Sequence, residues 1–423
     1  MISNNYSTKF TEFSKNNLFQ SLDEHLQIFI RKTGESYRLT FQELHQLTEI
    51  AVDFNMWNES SIEELWNQIE PSIGSNNGNK KKPILNKIKQ NWLSLKKNPS
   101  SYENNVTKIK SVVRKIKNHT KDHDIFGLCP VASEKTVCCN LKTIDAIQGC
   151  GLGCSYCSIQ TFYEDGAIGI EANLWEKLDN IKLDPNKHYH IGSGQSSDSL
   201  AMGNRNDVLE AQLNFARKNP NIILEFKTKT KNIDYFLSTD LPQNIMVCWS
   251  LNPQTIINNE EHFTASLDQR LNAARQLANK GVIVGFHFHP ILYYENYEKD
   301  YIDIVNTILT KFSPEEIGMI SLGTLTFIKP AIKSLRSLGI PSKVLQIPME
   351  DAAGKFSYPL NIKKKIFSTI WNAFNPWKEK VFFYFCMEDK KLWTSVMGKC
   401  YHSNDEFEDA LFSSITTKMT ANI

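Results

Sequence analysis

The sequence predicts an α/β protein: a partial (β/α)6 TIM-like barrel, preceded by an N-terminal helical region and followed by a C-terminal extension. Three observations carry that expectation. From about residue 140 short apolar runs alternate with helical segments, the pattern of parallel βαβ units. The first 120 residues instead keep apolar side chains at helical spacing. A glycine- and cysteine-rich loop directly follows the first apolar run, at the strand end where such barrels place their chemistry.

Taken in order, Phe13, Leu18, Leu22, His25 and Leu26 start the helical part, followed by segments 41–54 and 62–69. A polar stretch beginning at Gly74 reads as a loop. The expected strands are 143–148, 188–192, 222–227, 245–251, 282–291 and 317–325, with helices at 207–218, 267–280, 301–312 and 331–338. The aromatic run Phe382, Phe383, Tyr384, Phe385 is expected to cover one end of the sheet. Residues 1–120 are therefore read as the helical region, 121–345 as the core and 346–423 as the extension. No internal repeat is visible.

The N-terminus has no basic head followed by an apolar core, and no apolar run approaches the roughly 20 residues of a membrane span. Nine cysteines, three of them clustered, suit reduced thiols and a metal cofactor better than a disulfide framework. The expectation is a soluble, cytoplasmic protein. The net charge of +2 hides an asymmetry: segment 80–121 holds 13 lysines and arginines against the single acid Glu103. Ile84, Ile88, Trp92 and Leu95 recur within it at helical spacing, as do Val106, Ile109, Val113 and Ile116. Two basic amphipathic helices would follow. They are either a solvated surface or an arm that binds nucleic-acid phosphates.

Cys150, Cys154 and Cys157 are spaced to reach three corners of one iron–sulfur cluster, because thiolates are the ligands such clusters use. The fourth iron is left without a nearby cysteine. Gly149, Gly151 and Gly153 fit a loop that needs close backbone approach and positive φ. A structural zinc site is the alternative, completed by Cys138, Cys139 or a histidine. Disulfide pairing is the other.

The cysteine run resembles the cluster loop of the radical SAM superfamily, in which the open iron chelates S-adenosylmethionine (SAM). Over roughly residues 140–390 the chain resembles the spore photoproduct lyase family within it. The matches are Tyr156 inside the loop, Phe226-Lys-Thr-Lys-Thr230, Trp249-Ser-Leu-Asn252, the segment Asp268 to Arg275, and the runs that start at Gly281 and Pro290. The resemblance implies a radical SAM barrel with a [4Fe–4S] cluster on Cys150, Cys154 and Cys157, and reductive cleavage of SAM to a 5′-deoxyadenosyl radical. It further implies an external one-electron reductant of the flavodoxin or ferredoxin type. Lys229 and Ser250 would contact the SAM carboxylate and ribose, with Asn252 beside them, and Gly192, Ser193 and Gly194 would approach its amino group.

Two positions depart from that family. Its hydrogen-donating cysteine is replaced by Gln195, and its second relay tyrosine by Ser158. Tyr156 stays as a candidate catalytic residue, and Cys248 is the candidate replacement thiol, weighed against a buried structural cysteine. A nucleic-acid base is the expected substrate. A peptide or small metabolite, or a zinc protein that binds nucleic acid without catalysis, are the alternatives. Cys129, Cys138, Cys139, Cys386 and Cys400 are either free thiols or ligands of a second metal. The pairs His188/His190 and His287/His289 each lie on one strand face. Asp198, Glu225 and Arg270 are charges with no evident partner.

Overall fold

The computed structural model describes residues 3–74, 80–102, 114–119, 123–129, 136–158, 167–194, 197–352 and 354–421. Two compact units divide the chain: Met1–Ile109 with Thr326–Ser357, and Lys110–Leu325 with Tyr358–Ile423. These units cut across the expected boundaries at 120 and 345.

The first unit is helical, with helices that include Glu24–Tyr37, Phe41–Trp57, Ile62–Ile69 and Lys81–Leu95. Capping boxes start two of them: Thr40 with Glu43, and Ser61 with Glu64. The helix Lys329–Ser337, expected at 331–338 as a barrel element, belongs here instead. Its Arg336 reaches the fully buried Asp53 at 2.7 and 2.8 Å, and Trp92 Nε1 donates to the same carboxylate at 2.9 Å. A buried ion pair of this kind is invisible to periodicity. In the basic helix Ile84 and Ile88 are buried, as their spacing predicts. Lys81 pairs with Glu43 at 3.1 Å, and Lys96 lies 4.4 Å from the Trp92 ring centroid. Lys82, Lys87, Lys89 and Lys97 are exposed. Of the second expected helix, Val106, Ile109 and Val113 lie outside the described residues, and Ile116 opens a strand, Ile116–His119.

The second unit is built on a curled eight-stranded half-barrel sheet. Its parallel strands run Lys142–Ile144, Tyr189–Gly192, Ile222–Thr228, Ile245–Ser250, Ile283–Ile291 and Ile317–Thr324, in sequence order across the sheet. Helices Val208–Lys218, Leu267–Asn279 and Tyr297–Lys311 alternate with them, as the sequence predicts. Two corrections concern the edges. The first expected strand ends at Ile144, and Ile147–Gln148 joins a separate three-stranded sheet with Ile116–His119 and Ile168–Glu171. At the far edge Phe382–Phe385 is itself a parallel strand, paired with Ile317–Thr324, rather than a cover. A run of four aromatics reads equally well as a cap or as a strand buried on both faces. Phe126–Leu128 adds an antiparallel strand beside Lys142–Ile144. The helix Asn404–Ala421 packs on this sheet through Phe407, Leu411 and Ile415.

Candidate active site

Cys150, Cys154 and Cys157 come together on one cavity of about 200 Å³ at the C-terminal ends of the parallel strands. Gly194, Ser197, Asp198, Lys229, Ser250 and His289 line it with them. The loop is shaped by two glycines. Gly153 has φ +64°, and a Cβ there would lie 2.7 Å from the Phe263 ring. At Gly149, φ +83°, it would lie 2.9 Å from the Ala167 carbonyl oxygen. Gly151, expected to share this role, is not in the positive-φ region. Gly153→Ala is expected to cost about 1–3 kcal/mol of strain at positive φ, measured as a fall in unfolding free energy and reduced iron retention.

A short segment after the fourth parallel strand clips the loop in place. Ser155 N donates to the Glu260 carbonyl at 2.9 Å, Phe263 N to Leu152 O at 3.1 Å, and Cys154 bridges Glu261. Glu261 is the hub of the site, and sequence reasoning missed it. Its carboxylate accepts from Lys229 Nζ at 3.0 Å, Asn252 Nδ2 at 2.8 Å, the Tyr156 hydroxyl and the Arg270 guanidinium. Burial alone would raise this carboxyl, but Arg270 and Lys229 hold it well below the usual carboxylate range. Arg270, fully buried, also donates to the Ser250 and Ala265 carbonyls at 2.7 and 2.9 Å.

The remaining expected residues separate into two groups. Lys229 reaches the Tyr156 hydroxyl at 2.9 Å and the His289 carbonyl at 3.2 Å, so its ammonium is held at the cavity wall. Ser250 and Gly194 also line the cavity, and Gly194 has φ +143°. Asn252 does not: its side chain is spent on Glu261 and on the Tyr301 hydroxyl at 2.7 Å. Gly192 lies within its strand, and the Ser193 hydroxyl is bonded to Ser199. Gln195 lies outside the described residues. Asp198 accepts from Lys229 N at 2.7 Å, Thr228 Oγ1 at 2.8 Å and two further backbone amides, an anchor for the turn that carries Ser197.

Beside this cavity a second one, of about 210 Å³, is lined by Cys129, Cys138, Cys139 and Cys386. Lys227 and His289 border both. The expected zinc alternative, in which Cys138 or Cys139 completes the Cys150 set, therefore joins residues that line different cavities. None of the nine cysteines is in a disulfide. Glu225 faces the same space and accepts from His190 at 2.8 Å and His287 at 2.6 Å. Burial and the Lys227 charge push His287 down to about 4, so it stays neutral at physiological pH. His188 is exposed and stacks on Phe412 at 4.3 Å. Cys248 is fully buried behind Glu225 and lines neither cavity. Burial keeps its thiol well above the ordinary range.

The donor set fits an iron–sulfur cluster and a small polar cofactor. Three soft sulfurs share one cavity, and burial pushes the Cys150 thiol up to about 12, a penalty that bound metal charge would reverse. Ser197 Oγ, buried and lining the same cavity, has no hydrogen-bond partner among the described residues.

The family model described as "Spore photoproduct lyase" matches residues 81–360, more than half of the chain. The chain belongs to the spore photoproduct lyase family. It is 26% identical over 220 residues to spore photoproduct lyase of Clostridium acetobutylicum, a match covering 50% of this chain and 63% of that protein. To the Geobacillus sp. lyase it is 24% identical over 195 residues, covering 43% of this chain and 56% of the relative. To the Bacillus subtilis lyase it is 25% identical over 158 residues, covering 36% of this chain and 46% of the relative. The matches thus span less than two thirds of those relatives. Among solved structures, spore photoproduct lyase complexed with dinucleoside spore photoproduct superimposes with TM-score 0.55 at 21% identity, covering 64% of this chain and 82% of that one. A variant of that lyase with bound AdoMet and dinucleoside spore photoproduct gives TM-score 0.54 at 21% identity, covering 64% and 81%. These likenesses show a fold shared with spore photoproduct lyase.

Proposed function

We propose that this chain is a radical SAM enzyme that acts on a nucleic-acid base. The observation that carries the reading is the convergence of Cys150, Cys154 and Cys157 with Lys229, Ser250 and Ser197 on one cavity at the strand ends. When bound, a [4Fe–4S] cluster and SAM supply one-electron reductive cleavage and a 5′-deoxyadenosyl radical. The three cysteines hold the cluster. Lys229, positioned by Glu261, offers its ammonium to the SAM carboxylate, and the Ser197 and Ser250 hydroxyls offer hydrogen bonds to its polar groups. Tyr156, which lines the same cavity and donates its hydroxyl to Glu261, orients that lysine and stays the candidate catalytic residue. An external one-electron reductant of the flavodoxin or ferredoxin type is part of the same proposal.

The base as substrate is supported by the dinucleoside bound in the solved relatives and by the exposed lysines of the Lys81–Leu95 helix. The reading is tested by anaerobic reconstitution, reduction and assay of 5′-deoxyadenosine. Lys229→Met is expected to weaken SAM binding roughly tenfold to a hundredfold, the worth of a hydrogen bond to a charged group, with iron content unchanged. Unchanged affinity in equilibrium dialysis would remove Lys229 from that role. Alanine at Lys82, Lys87, Lys89 and Lys97 is expected to lower the slope of log K against log salt for DNA or RNA by up to about 0.9 per lost phosphate contact. An unaltered slope would detach the lysines from nucleic-acid binding.

A further inference from the structure

The second cavity of the barrel unit gathers four of the nine cysteines, and nothing in the reaction proposed above uses them. They come from three separate stretches of chain. Cys129 follows the antiparallel edge strand, Cys138 and Cys139 precede the first parallel strand, and Cys386 directly follows the last. These stretches flank the two opposite edges of the half-barrel sheet, and an isolated bridge between Val137 and Glu388 joins them. The fold therefore assembles the thiols, although they are as much as 257 positions apart in the chain, counted from Cys129 to Cys386.

Their backbone is held from several sides. Cys129 N donates to the Leu141 carbonyl at 2.9 Å, Cys386 N to the Leu322 carbonyl at 2.8 Å, and Cys138 N to Asn404 Oδ1 at 3.0 Å. Ligands mounted on fixed elements are what a metal centre requires. The Nε2 atoms of both histidines in the same cavity are committed elsewhere, that of His287 to Glu225 and that of His289 to Ser321 Oγ at 2.6 Å. Sulfur is thus the most numerous donor type in the lining. Lys227 borders the space as a cation without a hydrogen-bonded or ion-paired partner for its Nζ among the described residues, placed to offset the negative charge of a metal–thiolate group.

We propose that Cys129, Cys138, Cys139 and Cys386 form a second metal site, a tetrathiolate that holds an iron–sulfur cluster next to the SAM cavity. Binding displaces the thiol protons to solvent and leaves four sulfur–metal bonds. The site does not depend on the identity of the substrate. It also does not depend on the cluster at Cys150, Cys154 and Cys157, so the two can fail separately.

The test uses the full-length chain in which Cys150, Cys154 and Cys157 are all alanine, reconstituted anaerobically with iron and sulfide. Metal analysis is expected to find about half of the wild-type iron and sulfide. Adding Cys138→Ser and Cys386→Ser should then remove it. A folded triple variant that retains no iron would overturn the proposal. Should that variant fail to fold, alkylation of the wild-type protein mapped by mass spectrometry decides the matter. Cys129, Cys138, Cys139 and Cys386 are expected to be protected after metal loading and modified after chelation, with Cys400 unaffected. Equal modification of the four in loaded and stripped protein would equally reject the site.

Discussion

Cys154→Ala is expected to abolish both the brown chromophore of the reconstituted SAM site and the production of 5′-deoxyadenosine, by at least about a hundredfold. Loss of an outer partner of a metal ligand already costs about ten- to a hundredfold, and a ligand itself must cost more. Cys154 is the most enclosed of the three, buried beneath the loop and bridged to Glu261, whereas Cys150 and Cys157 are half-buried. Water cannot readily take its place. Iron and sulfide analysis with chromatography of the reduced reaction provides the check. Retention of SAM cleavage by this variant would mean that the three cysteines hold no cluster. If the second thiol site carries a cluster of its own, the variant stays coloured but makes no 5′-deoxyadenosine, which separates the two centres.

Glu261→Ala is expected to be the most destabilising single change in the barrel unit, by about 3–5 kcal/mol, the range found when one partner of a buried ion pair is removed. Arg270 is fully buried and would keep its carbonyl partners but lose its counter-ion, while Lys229 would lose its closest anion. Glu261→Gln separates charge from shape, and its pH dependence has a definite sign. The Glu261 carboxyl is depressed in the folded state, so its stabilisation is complete above the ordinary carboxylate range and is lost as pH falls through the folded value. The gap in unfolding free energy between wild type and Glu261→Gln should therefore be constant near neutrality and narrow in acid. A gap that is the same at pH 3 and pH 7 would deny the carboxylate its ion-pairing role.

Most of the barrel was legible because its strands are short, apolar and separated by amphipathic helices, and five of the six expected parallel strands fall within one or two residues of their places. What was not legible depended on partners distant in sequence. Phe382–Phe385 was read as a cover since nothing local distinguishes an aromatic cap from a buried strand. The helix Lys329–Ser337 was given to the barrel because Asp53, its partner, lies far back in the chain. The cluster loop announced itself through three cysteines at fixed spacing. Glu261 carried no such mark: an acidic residue in a Glu-Glu-His run reads as surface until Arg270 is seen one helical turn beyond Ser266, folded back onto it. Cys248 lies on the expected strand and Asn252 just beyond its end, but the sequence does not show that their side chains are already engaged within the core.

The strand Phe382–Phe385 has a consequence for how the protein is made. During synthesis, Ile317–Thr324 leaves the ribosome as a bare parallel edge, and more than fifty further residues must follow before its neighbour arrives. The intervening stretch 326–357 is assigned to the other compact unit, so the barrel stays open while a different part of the molecule is being finished. An exposed edge of this kind pairs readily with other chains. Premature termination after residue 345 would thus leave a sticky half-product, and holdase chaperones are the cellular factors that such a nascent chain would call upon.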